Sequence, residues 1–385
     1  MTSNGIKGHQ KHAFLQKPDI GTYHKNEWAI LGTPCGAIKQ LAFEVSQLLS
    51  KEYNVAYIDA DHKSADNEAE TGRDDQSILA HGGNLEFTDK ITFSRVDVDG
   101  ALNQFQMRQQ FNSQDLVLIN GNHFEGRKQI VVIDLRKDLQ KKLGKLNDVA
   151  IILLTGDAEV PTFLKDHLPN IQKIPIFKAS DYEAIADFIQ VEMQQSEPKI
   201  KGLVLAGGRS TRMGQDKGKI NFHGKDQRIF MWEQLDEICG EAFISIRPEQ
   251  AKELHKYPIV EDTFEGLGPY GAILSAFRSD PNSAWLVVAC DQPFLKGEDL
   301  NFLIQNRSTS KVATCYHNPE TNFPEPLITL WEPRAYAVLL NFLSQGYSCP
   351  RKVLINSDCE VLQIENHEVL KNVNTPEELQ KLRVS

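Results

Sequence analysis

Residues 203–218 read LVLAGGRSTRMGQDKG and carry the residue types that hold phosphate. Leu203, Val204, Leu205 and Ala206 make an apolar run of strand character, broken at once by Gly207 and Gly208. Arg209, Arg212 and Lys217 follow. Glycine lacks Cβ, so its backbone N–H groups can approach an anion closely, and the cations add charge-assisted hydrogen bonds. The stretch does not have the Walker pattern, G-x-x-x-x-G-K-[ST]. A solvated polar loop with three cations is the alternative.

A second chemical group is Asp291, which follows AWLVVAC (284–290) without a spacer. At the C-terminal end of a strand in an α/β sheet it stands where ligands bind. A carboxylate there can hold Mg²⁺, which takes oxygen ligands and bridges phosphates. Opening the turn before Pro293 would explain the same residue. In VEDTFEGLGPYGAI (260–273), Glu261 and Asp262 end a short strand, and Gly266, Gly268 and Gly271 allow close approach by a base or ribose. An acidic loop with a helix N-cap is the alternative. In NVNTPEEL (372–379), Thr375 reads as an N-cap and Pro376 as the first helical residue. That leaves Asn372 and Asn374, which would face one side of a short strand. Arg351 and Lys352 open a helix against its dipole, which asks for an anion nearby unless they are a solvated pair.

The elements that must position these groups come in two halves. A chain of 385 residues suits about two domains at roughly 100–200 residues each. A net charge of −10 argues against a nucleic-acid partner and leaves the basic loop to a small anion. Six scattered cysteines without C-x-x-C make neither a disulfide framework nor a zinc site. The first 27 residues have no apolar signal region, and no apolar run reaches the ~20 residues of a membrane span, so a soluble, cytoplasmic protein is expected.

Residues 1–26 read as a loose arm. From 27 to 195 strands alternate with helices, with strands expected at 54–61, 90–98, 115–120, 129–135 and 149–156 and a closing helix at 180–194 capped by Ser180 or Asp181. The first turn, Gly32 to Lys39, sits where a P-loop would, but it has no G-K-[ST], and Pro34 removes an N–H donor. Cys35 lies in that turn at a helix N-terminus, where a thiol's pKa can fall; a partly buried structural cysteine is the alternative. The polar segment 194–201, with Pro198, is the linker. From 200 to 385 the strand–helix alternation resumes, which argues a second doubly wound α/β unit with ligands at the strand ends.

LAGG-x-S-x-R-M-G-x-D-K, CDQPFL (290–295) and NVNTPEEL together resemble the molybdenum cofactor guanylyltransferases (MobA-type), over residues 200–385. The resemblance implies a Rossmann-like nucleotidyltransferase fold and transfer of GMP from GTP to molybdenum-bearing molybdopterin. It also implies nucleotide contacts at Leu205, Ala206, Gly207, Gly208, Lys217, Asp262 and Asp291, catalytic roles for Arg212, Lys217 and Asp291, and Mg²⁺ on Asp291. Asn372, Asn374 and Arg351 fall where the family meets the pterin. Ser245 stands where the family commonly has a nucleotide-contacting Asn, which bears on GTP preference. Molybdoenzyme acceptors or their chaperones are the further partners to expect. The alternatives are a transferase using CTP or a sugar-phosphate acceptor, and a non-catalytic scaffold in cofactor maturation. The first half resembles, in outline, the P-loop adaptor family of the same pathway (MobB-type), through the position of its first loop, DLVLINGNHFEGRKQIVVID (115–134) and its closing helix. Asn120 and Asn122 stand where that family has an acid, so a fold that has lost NTP hydrolysis is expected.

Overall fold

The structure is a computed structural model and describes residues 18–60, 77–208 and 217–373, with the backbone only at Lys217. It divides into two compact units: one is Ile20–Gln195, and the other joins the described residues up to Asp19 with those from Ser196 onward.

The first unit is built on β1 (Glu27–Leu31), α1 (Cys35–Leu49), β2 (Val55–Ile58), the hairpin β3 (Leu85–Asp89) and β4 (Ser94–Val98), and α2 (Gln104–Phe111). It continues through β5 (Leu116–Asn120), β6 (Lys128–Ile133), β7 (Val149–Leu154), α3 (Thr162–His167), β8 (Ile176–Lys178) and α4 (Tyr182–Gln195). Six strands form one sheet in the order β2-β5-β1-β6-β7-β8, and every pair in it is parallel. Apart from Glu27, Asn120 and the Lys128-Gln129 pair at their ends, its central strands are apolar, as suits a parallel sheet buried on both faces. Ile38, Leu41, Val45 and Leu49 of α1 and Ile185, Ile189 and Met193 of α4 bury one stripe each against one face. Asp181 accepts from the Ala184 N–H at 3.2 Å, as a cap for α4 should.

Two expectations need correction here. The strand expected over 90–98 is only the second arm of a hairpin, and Ile91 turns the chain with φ of 72°. The arm is fastened from Gly21 onward, not loose to residue 26. The Glu27 carboxylate is buried in the first strand and accepts from the N–H groups of Thr22, Tyr23 and His24. A buried carboxylate must be hydrogen-bonded, so it orders the residues before it.

The second unit comprises β9 (Ile200–Leu205), α5 (Gln227–Cys239), β10 (Ala242–Ile246), β11 (Ile259–Glu261), α6 (Pro269–Ser279), β12 (Ala284–Ala289) and α7 (Gly297–Gln305). β13 (Ala313–Asn318), β14 (Phe323–Trp331), α8 (Ala335–Ser344), α9 (Pro350–Ile355) and β15 (Cys359–Leu362) follow. The sheet order is β11-β10-β9-β12-β14-β13-β15. β11, β10, β9 and β12 are parallel, whereas β14 runs antiparallel to both β12 and β13. Ile273, Leu274 and Phe277 of α6 are fully buried with Trp285 and Trp331 on one face, and each such side chain contributes about 1.5–3 kcal/mol. Met231 and Leu235 of α5 pack on the other face with Leu286, Val288 and Leu300. The helix expected over 377–382 lies outside the described residues.

Candidate active site

Four parallel strands end on one edge of the second sheet. Leu205 is paired with Ser245 and with Ala289, and Ile246 with Glu261. The residues that follow those pairs, Ala206–Gly208, Arg247, Asp262 and Asp291, therefore emerge side by side. Backbone bonds fix the edge: the N–H of Ala206 donates to Ser245 at 3.0 Å, and that of Asp262 to Ile246 at 2.9 Å. The order reverses between β9 and β12, which is the place where an open α/β sheet leaves a crevice for ligands.

Asp262 is committed to its own loop. Its Oδ1 accepts from the Phe264 N–H and from the Ser275 hydroxyl, both at 3.1 Å. Burial raises its pKa, and the bonds from Ser275 and Phe264 oppose that rise. It does not cap α6, whose N-cap is Gly268. Gly271 is required beneath it, since a Cβ there would lie 2.2 Å from the Phe264 carbonyl oxygen. Ser245 is buried within β10, and its carbonyl serves Ala206.

Asp291 is half-buried directly after β12. The N–H of Val373 donates to its carbonyl at 2.9 Å, which brings Asn372 beside it. Asn372 is exposed, while Val373 is buried with Ile220. The segment is not a strand in its described part, 371–373. Arg212 and Asn374 lie outside the described residues, and Lys217 begins a short 3-10 turn, Lys217–Lys219.

Arg351 stands on the first turn of α9. Its guanidinium lies 3.8 Å from Glu325 and donates through Nε to the Pro324 carbonyl at 3.3 Å. The anion that a basic helix start asks for is thus supplied by the chain itself. Glu325 is buried, accepts from Asn318 Nδ2 at 3.1 Å and from the Leu327 N–H at 3.3 Å, and has a raised pKa, first through burial and further through the negative charge of Asp291.

A MobA-like NTP transferase domain matches residues 202–360. The probable molybdenum cofactor guanylyltransferase of Thermococcus gammatolerans is 31% identical over 190 residues, 47% of this chain and 97% of that protein. The chain belongs to the MobA-like NTP transferase family. The molybdenum cofactor biosynthesis bifunctional protein of a Synechocystis strain is 35% identical over 185 residues, 48% of this chain and 53% of that protein, so the match spans about half of that relative. Among solved structures, molybdopterin-guanine dinucleotide biosynthesis protein A from Archaeoglobus fulgidus is 26% identical, with a TM-score of 0.40, and covers 47% of this chain and 96% of its own.

In the MobA-like transferase unit the sequence reading missed Glu325 and Asn318. A signal existed: FPEPLITLW is an apolar strand apart from one carboxylate between two prolines. A charge in such a run needs a partner or a task. Arg247 was also passed over, although a Cβ at Gly207 would lie 3.4 Å from its backbone nitrogen. In the first unit the turn at 32–35 is paired within the chain. Gly32 has φ of 95° with the Val132 carbonyl against it, and Thr33 donates to Asp134 at 2.5 Å. Asn122 donates to the Thr33 carbonyl at 3.0 Å and Asn120 to Asp59 at 2.7 Å.

Proposed function

We propose that this chain is a molybdenum cofactor guanylyltransferase, transferring GMP from GTP to molybdenum-bearing molybdopterin and releasing pyrophosphate. The observation that carries the reading is the meeting of the LAGG strand end, Asp291 and Asn372–Val373 on one sheet edge. The acceptor phosphate attacks the α-phosphorus in line; the new P–O bond forms as the bond to the β-phosphate oxygen breaks. Arg212, Lys217 and the backbone of Gly207 and Gly208 hold the triphosphate, while Leu205, Ala206, Ser245 and Asp262 surround base and ribose. Asn372, Asn374 and Arg351 are the residues assigned to the pterin, Arg351 while paired with Glu325. Positioning and fixed charge supply the rate, since little covalent chemistry falls to the protein.

A divalent ion fits this edge. Asp291 and the neighbouring Glu325 put two carboxylates in one another's field, and Mg²⁺ is commonly held by one or two carboxylates plus substrate phosphates. When bound, Mg²⁺ supplies neutralisation of the charge that gathers on the departing pyrophosphate. Asp291 would hold it. The recipient is a molybdoenzyme or its chaperone, and the setting is the cytoplasm. The first unit does not hydrolyse GTP, because its altered turn lacks the phosphate lysine and the metal-binding hydroxyl.

Pyrophosphate release with a molybdopterin acceptor tests the reading, with GTP and CTP compared. Release from GTP supports it. Release from CTP alone, which Ser245 in place of Asn leaves as the rival, overturns the nucleotide; no release from either overturns the enzyme.

A further inference from the structure

The turn that replaces the phosphate loop of the first unit holds a second constellation. Cys35 is the first residue of the 15-residue helix α1. Its Sγ lies 3.4 Å from His123 Nε2 and accepts from Asn122 Nδ2 at 3.4 Å. Lys142 donates to Asn122 Oδ1, which fixes the amide with its NH₂ toward the sulfur. Asn120 and the Tyr57 hydroxyl both bind Asp59 on the neighbouring strand end. The groups facing the sulfur are therefore His123, Asn120 and Asn122 from the end of β5, Tyr57 and Asp59 from β2, and Lys142 from the turn after β6.

We propose that Cys35 and His123 form a nucleophilic thiol site that exchanges with anionic low-molecular-weight disulfides. The Cys35 thiol passes its proton to His123. The thiolate attacks one sulfur of R–S–S–R, a Cys35–S–S–R bond forms, and the original S–S bond breaks. Its electron pair leaves with RS⁻, which takes up the proton. Cys35 is oxidised and the leaving thiol is reduced, so the disulfide is the only oxidant needed.

One feature favours an anion. Lys142 stands close to Lys137 and Lys145, enough for both to depress its pKa beyond the effect of burial. The thiol's acidity agrees: burial works to raise it, and the bonds from Asn120, Asn122 and His123 outweigh burial and lower it. The chain contains its own contrast. Burial pushes Cys239 and Cys359 up to about 12, and Cys315 is raised as well. Cys349 is exposed and serves as the control for access alone.

The test is peptide mapping of the full-length protein after brief reaction with 3,3′-dithiodipropionate or with cystamine, across the pH range around neutrality. Near pH 6.5, Cys35 should form its mixed disulfide about tenfold faster than Cys349. The dianion should outpace the dication at low ionic strength and lose that lead in salt. His123→Ala should slow Cys35 about tenfold and move its pH midpoint upward. Equal rates at Cys35 and Cys349 in the unaltered protein would overturn the site, and that comparison needs no variant to fold. An unchanged midpoint in a folded His123→Ala would overturn the pairing, and a faster reaction with cystamine would overturn the anionic preference.

Discussion

The backbone N–H of Val373 donates to the carbonyl of Asp291 across 2.9 Å. It joins the two most chemically suggestive strings of the transferase unit outside the glycine loop. If Asp291 carries the metal, Asp291→Asn should lower turnover about a thousandfold, because an amide removes the charge that the reaction needs. The same variant should lose the divalent-ion dependence of GTP binding while its Tm stays near that of the parent. Full activity in a folded Asp291→Asn would refute the role. Steady-state kinetics with calorimetric GTP titration reads both effects.

Arg307 and Glu332 form a buried pair, with Nε and Nη2 on the two carboxylate oxygens at 2.7 and 2.8 Å. The third guanidinium nitrogen donates to the Pro198 carbonyl at 3.0 Å, so the linker segment is fastened at this point. Glu332 is fully buried, and burial raises its pKa against the pull of Arg307. Arg307→Ala should cost about 3–5 kcal/mol, since it strands a buried carboxylate. Arg307→Met with Glu332→Leu should cost less than the single change. Urea unfolding of both variants settles the comparison.

Gln227 is fully buried at the start of α5, and neither of its amide atoms has a hydrogen-bond partner among the described residues. Such a group carries a desolvation cost of about 1–3 kcal/mol. Gln227→Leu should therefore raise stability by about 1 kcal/mol. A fall in Tm would show instead that the amide is satisfied by a bound water or ligand.

Asp134 supplies a pH signature in the first unit. The Arg136 guanidinium holds its carboxyl well below the usual range, and the Thr33 hydroxyl and the Arg136 N–H add to this against burial. The folded form thus binds this proton less readily than the unfolded form. Its stabilisation is complete above the ordinary carboxylate value near 4 and is lost as pH falls below it. Protection factors at the β1 and β6 amides of the full chain, taken relative to the intrinsic exchange rate at each pH, should fall on acidification over that window. Asp134→Asn should make the dependence shallower and weaken the unit near neutral pH by about 1.5–3 kcal/mol, the worth of a charged hydrogen bond.

The residues that announce chemistry by type were legible before any coordinates. LAGG, Asp291 after its strand, and the strand–helix alternation all express local rules. What stayed hidden depends on who meets whom. β14 reads as an apolar strand in either direction, so its antiparallel course had no local signature. Arg351 asked for an anion, but only the fold shows that Glu325 answers. β8 and β15 have three and four residues, too short for an alternating pattern to register. Asp262 looked like a ligand or a cap, and its bond to Ser275 depends on the seating of α6 against β11.

The reversal of β14 decides which part of the chain can vary over the site. A parallel strand offers a crevice only the residues at its end, and these lead into the loops proposed to touch the nucleotide. β14 offers its beginning instead, and β13 its end, so the hairpin between Asn318 and Phe323 rises on the edge that holds Asp291. Residues can be added or removed there without shifting the register of β9, β10 or β12. Under the proposed function, acceptor recognition and nucleotide handling can therefore diverge separately on one scaffold.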